Sequence, residues 1–98
     1  MKTKKLTFLL ALTFLFLFSG SVYGQEEVKK EYYDSGKLKI EFHYKNGKQE
    51  GLKTSWWKNG RNKYTRHYKN GIENGVRTEW DEDGKKTFQG NFVDGVQR

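Results

Sequence analysis

The stretch Tyr44-Lys45-Asn46-Gly47 recurs 24 residues later as Tyr68-Lys69-Asn70-Gly71, and a third, altered copy follows at the same step as Phe92-Val93-Asp94-Gly95. A second series keeps the same phase: Tyr32-Tyr33-Asp34-Ser35-Gly36, Trp56-Trp57-Lys58-Asn59-Gly60 and Trp80-Asp81-Glu82-Asp83-Gly84. A fixed period of this size marks a repeat architecture. Each unit is too small to bury an apolar face alone and does so only against its neighbours. The repeats run approximately 32–55, 56–79 and 80–98.

Glycine punctuates the series at 36, 47, 60, 71, 84 and 95, each time after Ser, Asn or Asp, and proline is absent. Such pairs tolerate the left-handed backbone of tight turns and are hairpin signals between apolar runs. The intervening segments alternate with period two. Leu38, Ile40, Phe42 and Tyr44 share one parity against Lys39, Glu41 and His43, and Leu52, Thr54 and Trp56 oppose Lys53, Ser55 and Trp57. That is strand patterning. The fold class is all-β, an antiparallel meander of stacked hairpins with about six strands, at 28–33, 38–44, 51–57, 62–68, 75–81 and 86–92.

Parity selects the turns. A three-residue loop at Asp34-Ser35-Gly36 pairs Tyr32 with Leu38, the form of a type I turn closed by a glycine bulge. Lys58-Asn59-Gly60 and Glu82-Asp83-Gly84 fit the same form. A longer loop over Lys45 to Gln49 then pairs Tyr44 with Glu50 and Ile40 with Thr54. The expected cross-strand rows are Ile40, Thr54, Tyr64, Thr78, Phe88; Tyr32, Leu38, Trp56, Asn62, Trp80, Lys86; and Val28, Phe42, Leu52, Arg66, Val76, Gly90.

The pattern Tyr-Tyr-x-x-Gly-x-Leu followed by Tyr-Lys-Asn-Gly-Lys-x-x-Gly-Leu resembles the bacterial variant of the MORN repeat (membrane occupation and recognition nexus). The resemblance covers nearly all of residues 32–98, as two full copies and a truncated third. It implies stacked hairpins in an elongated sheet, lipid or protein contacts, and no catalytic residues. Some bacterial proteins with this repeat are antitoxin components of toxin–antitoxin modules. Copies two and three depart from the first: Asn62 and Lys86 stand in the place of Leu38, and Arg66 and Gly90 in the place of Phe42.

The first 24 residues read separately. Lys2, Lys4 and Lys5 precede an apolar run from Leu6 to Phe18, then Ser19-Gly20-Ser21, with Val22 and Gly24 three places and one place before a cut ahead of Gln25. This is the pattern of a secretory signal peptide. The run is shorter than the roughly 20 residues a membrane-spanning helix needs. The expectation is an exported chain, periplasmic or extracellular, whose repeat domain is 25–98. Removing three lysines with that segment leaves 16 basic residues against 12 acidic ones, a net charge of about +4 rather than +7. With no cysteine, no disulfide stabilises the domain.

Chemistry-bearing residues are sparse. His43 and His67 fall at equivalent positions about 9.6 Å apart, twice the strand spacing, with Gly51 expected between them. Tetrahedral zinc takes three or four protein ligands, and no acid or cysteine is placed to complete the set, so both read as surface histidines. Asp81-Glu82-Asp83-Gly84 lacks the twelve-residue loop and distal glutamate of a calcium hand and reads as a solvated turn. No nucleophile context or phosphate loop is present. The expected chain is therefore not an enzyme and needs no cofactor or metal. Tyr33 and Trp57 form the candidate binding surface, with Lys39, Lys53, Lys63 and Arg77, since exposed aromatics beside cations suit recognition. Lys29 shares that face. The expected partner is a protein or an envelope component, with an anionic membrane surface as the alternative, self-assembly as a third reading, and no nucleic acid. A single sheet layer leaves Tyr32, Trp56 and Trp80 uncovered, which favours a homodimer or a chain stabilised by its partner. Intact-mass measurement of the native protein is expected to show a chain beginning at Gln25. A species beginning at Met1 in the envelope fraction would indicate a retained anchor.

Overall fold

The computed structural model describes residues 26–98. The expected signal segment and the expected cleavage point before Gln25 lie outside them. The chain runs β1 (Glu26–Tyr32), β2 (Leu38–Lys45), β3 (Lys48–Gln49), β4 (Gly51–Trp56), β5 (Asn62–Lys69), β6 (Ile72–Glu73), β7 (Gly75–Trp80), β8 (Lys86–Val93) and β9 (Val96–Gln97). All pair antiparallel in one sheet of order β1-β2-β4-β5-β7-β8-β9, with β3 added to β2 and β6 to β5. The described residues form an open slab of 39 × 34 × 11 Å, and its thinness is that of one sheet layer. Six long strands lie where the alternation places them. The other three are two-residue strands after each Asn-Gly or Asp-Gly turn, which raises the count from six to nine.

The three-residue turns form as expected. The Gly60 N–H donates to the Trp57 carbonyl at 2.9 Å, and the Trp57 N–H donates to the Arg61 carbonyl at 2.7 Å. The same two bonds recur at Tyr33–Lys37 and Asp81–Lys85. Gly60 sits at φ +92°, where a side chain is strained. Tyr32 pairs with Leu38, Trp56 with Asn62 and Trp80 with Lys86.

The next pairs depart from expectation. The register slips by one residue in each hairpin, so that Glu31 pairs with Ile40, Ser55 with Tyr64 and Glu79 with Phe88. Lys39, Lys63 and Thr87 are left without an opposite residue. Each is a bulge, which reverses the parity of everything beyond it.

The second turn type is also corrected. Tyr44 pairs with Gln49 rather than Glu50, and Lys45 with Lys48, leaving a two-residue loop in which Asn46 (φ 53°) and Gly47 (φ 82°) are both left-handed. This is the Asn-Gly hairpin turn whose twist matches that of its strands. The returning chain then gains two residues, since Glu41 pairs with Thr54 and Ile40 with Ser55, not Thr54. The bulge and this gain together keep the repeats in line. Ile40, Tyr64 and Phe88 lie in one row, with Ser55 and Glu79 between them.

The third expected row is replaced. Phe42 pairs with Lys29 rather than Val28, Arg66 with Lys53 rather than Leu52, and Gly90 with Arg77 rather than Val76. The expected row requires an unbroken pleat, and one unopposed residue per hairpin breaks it.

The turn geometry sets unequal costs for substitution. No atom lies within 4 Å of the space a Cβ on Gly60 would fill, so Gly60→Val carries only the backbone strain, roughly 1–2 kcal/mol. Lys58→Ala, in the same turn, is expected to be near neutral. Thermal melts of the two variants check this, and equal transition temperatures would contradict the assignment.

Candidate functional site

The register divides the sheet into two unlike faces. One carries Ile40, Phe42, Tyr44, Tyr64, Tyr68, Phe88 and Phe92 together with Lys29, Lys53, Arg66 and Arg77, because Cα partners share a face. The two most deeply buried residues, Phe92 (8% exposed) and Ser55 (3%), lie here. With no second layer, the cations themselves cover the rings. Lys29 Nζ lies 4.7 Å from the Tyr44 ring centroid and Lys53 Nζ 5.4 Å from that of Phe42. The Arg66 guanidinium lies 4.4 Å from Tyr64, and that of Arg77 lies 4.2 Å from Phe92 and 5.8 Å from Phe88. Such pairs are worth about 0.5–1 kcal/mol each where exposed, and the methylene stems of the cations add apolar cover.

The residues marked out in the sequence meet on this face, as pairs. Lys39, a bulge residue, places Nζ 5.6 Å from the Tyr33 ring, and Lys63, the next bulge residue, places Nζ 4.7 Å from Trp57. The aromatics themselves join successive repeats. Tyr33 Oη–H donates to the Trp56 carbonyl at 2.7 Å, and Trp57 Nε1–H donates to the Trp80 carbonyl at 3.1 Å. In the third copy the pair is absent on both sides, with Asp81 and Thr87 in those places, and Asp81 instead accepts from the Asp83 and Lys85 amides of its own turn. Each of the six named residues thus has a partner within the sheet.

Arg77 is also held from the side. Its Nε and Nη2 donate to the two oxygens of Glu73 at 2.9 and 2.7 Å, and Glu79 lies 3.7 Å away. The hydrogen bonds from Arg77 hold the Glu73 carboxyl below its ordinary value, against the smaller opposing effect of burial. One repeat earlier the equivalent pair is Gln49 and Lys53, and the buried Gln49 Oε1 meets no donor among the described residues.

The opposite face is open. Tyr32, Leu52, Ile72, Val76, Val93 and Val96 are 37–56% exposed, and their pairing places all six on this side. Leu52 and Val76 read from the sequence as inward residues, and the bulges turn them outward. The signal was present in Arg66 and Gly90 standing where copy one has Phe42, since neither belongs in an apolar stripe. His67 also lies here, paired with Leu52 rather than in a row with Gly51, whose partner is Tyr68. Among the described residues no three His, Cys, Asp or Glu side chains gather around one point.

Residues 25–46 and 73–94 each match the family model described as MORN repeat variant. The two matches begin 48 residues apart, twice the sequence period, and each covers a three-residue-turn hairpin. No curated protein and no solved structure matches the chain. MORN repeats are generally protein- or membrane-lipid-binding modules and typically non-enzymatic.

The Glu73–Arg77 pair gives a pH dependence. A carboxyl whose pKa is lowered in the folded state stabilises above the unfolded-state value, and that stability is lost as pH falls through the folded value. Glu73→Gln is therefore expected to melt lower at pH 7 and to lose less stability than wild type below about pH 4.5, the ordinary value. Melts between neutral pH and pH 3 check this. Parallel acid limbs for the two proteins would contradict it.

Proposed function

We propose that this chain is an exported, non-enzymatic recognition module that binds a protein partner or a component of the cell envelope through its open face. One observation carries the reading: among the described residues the exposed large apolar side chains all lie on one side of a single-layer sheet, while the other side is covered by its own cations. Exposed apolar residues gathered on one face mark an interaction surface, whereas single ones scattered over a protein do not. The signal-like amino terminus supports export. This moves the binding surface from the Tyr33, Trp57, Lys39, Lys53, Lys63 and Arg77 set to the side bearing Leu52 and Val76.

The anionic-membrane alternative draws less support. All five of the basic side chains it would use, Lys29, Lys39, Lys53, Lys63 and Arg77, sit over rings, and Arg77 is also tied to Glu73. Two double variants separate the readings in a co-sedimentation assay with the native envelope fraction. Leu52→Asp with Val76→Asp is expected to abolish retention, and Lys39→Ala with Lys63→Ala to preserve it. The reverse pattern, with flotation on anionic vesicles lost in the lysine variant, would establish the membrane-surface reading instead.

A further inference from the structure

Tyr32, Trp56 and Trp80 occupy equivalent positions at the turn ends of β1, β4 and β7. Their hairpin partners are Leu38, Asn62 and Lys86, and each aromatic is two strands from the next, about 9.6 Å. Beside this row runs a second, Thr54, Thr65, Thr78 and Gln89, successive partners across β4, β5, β7 and β8. Trp80 also lines an open cleft with Arg61, Asn62 and Gly84, and Tyr32 lines another with Asp34, Ser35, Lys37, Lys39 and Lys58. The open face thus pairs a ledge of regularly spaced rings with a line of groups that both donate and accept hydrogen bonds, uncharged from Thr54 to Gln89 and ending beside Tyr32 in the opposed pair Glu41 and Lys30.

We infer that this ledge binds a neutral β-linked polysaccharide, with sugar rings stacked on Tyr32, Trp56 and Trp80 and hydroxyls meeting the threonine row. A pyranose ring has an apolar C–H face that packs on an aromatic plane and an equatorial rim of hydroxyls, the two chemistries arranged here side by side. In an extended β-1,4-linked chain every second sugar presents the same face, at close to a two-strand interval. A repeating surface of this kind suits a repeating ligand better than the aperiodic surface of a folded protein. Charge supports the neutral class. On this face of β4, β5, β7 and β8 the only formally charged side chains among the described residues are Lys69 and Lys86, and on β1 and β2 the charges oppose one another in pairs, Glu26 with Lys45 and Lys30 with Glu41. The turns beyond the ledge carry both signs, Asp34, Glu82 and Asp83 beside Lys58 and Arg61. The inference rests on the open-face reading above and names its ligand class.

Co-sedimentation of the full chain with microcrystalline chitin and cellulose tests it. Retention on at least one polymer is expected, insensitive to added salt and displaced by the matching soluble oligosaccharide. Trp80→Ala should weaken binding about tenfold, corresponding to ~1.4 kcal/mol, and Trp80→Phe should keep most of it. Because Trp57 bonds the main-chain carbonyl of residue 80, neither variant removes that link, and far-UV circular dichroism confirms the fold. No retention on either polymer, or equal retention of wild type and Trp80→Ala, overturns the inference. If envelope-fraction retention then still depends on Leu52 and Val76, the open-face reading stands and only the glycan assignment falls.

Discussion

One unopposed residue per hairpin governs the rest of this structure. At Lys39, Lys63 and Thr87 the pairing advances by one residue on one strand only, and every side chain beyond it changes face relative to an unbroken pleat. The slip brings Ile40, Phe42, Tyr64 and Phe88 onto the side that holds Lys29, Lys53, Arg66 and Arg77. Without it, the aromatic stripe would share its face with Leu52 and Val76, and Lys29, Lys53 and Arg77 would face away from it. The two residues gained after each Asn-Gly turn complement the slip, so that positions 24 apart stack in line.

A single layer about one sheet thick has to stabilise itself laterally. It does so with contacts that run along the repeat axis. Tyr33 and Trp57 each reach a carbonyl 23 residues onward. Gly71 and Gly95 amides donate to the Gln49 and Glu73 carbonyls of the preceding unit, both at 2.8 Å. Asn59 donates to the Glu82 carbonyl at 2.9 Å, and Arg61 to that of Asp83. These bonds lock neighbouring turns at both ends of the sheet, as expected where each repeat is stabilised mainly by its nearest neighbours. The cation–aromatic pairs then take the place a second layer occupies in a sandwich. The other face keeps its large apolar side chains exposed, and it is the face proposed here for a ligand.

The sequence carried the period, the strand positions and the type I turns with their glycines, because these depend on local chemistry at Asp34-Ser35-Gly36 and its copies. It did not carry the bulges. Nothing at Lys39 or Lys63 marks an unopposed residue, since a lysine is equally at home on an outward strand position. The error passed directly into the faces, so Leu52 and Val76 read as core. The six candidate site residues do bring aromatics and cations together, and their geometry joins them to neighbouring rings and to the next repeat. The two-residue turn at Asn46-Gly47 was legible in its residues. The requirement that repeats stack without drift favours a longer loop there, because an unbroken pleat contains neither the bulge upstream nor the two residues gained after the turn.

The register itself is the most direct measurement of this account. Interstrand nuclear Overhauser contacts in solution are expected to link the main chain of Ser55 with those of Ile40 and Tyr64, and that of Glu79 with those of Tyr64 and Phe88. The Lys53 side-chain methylenes are expected to be shifted upfield by the Phe42 ring. Contacts linking Thr54 with Ile40 and Tyr64 instead, with Leu52 opposite Phe42, would restore the unbroken pleat and contradict the division of the sheet into a covered and an open face.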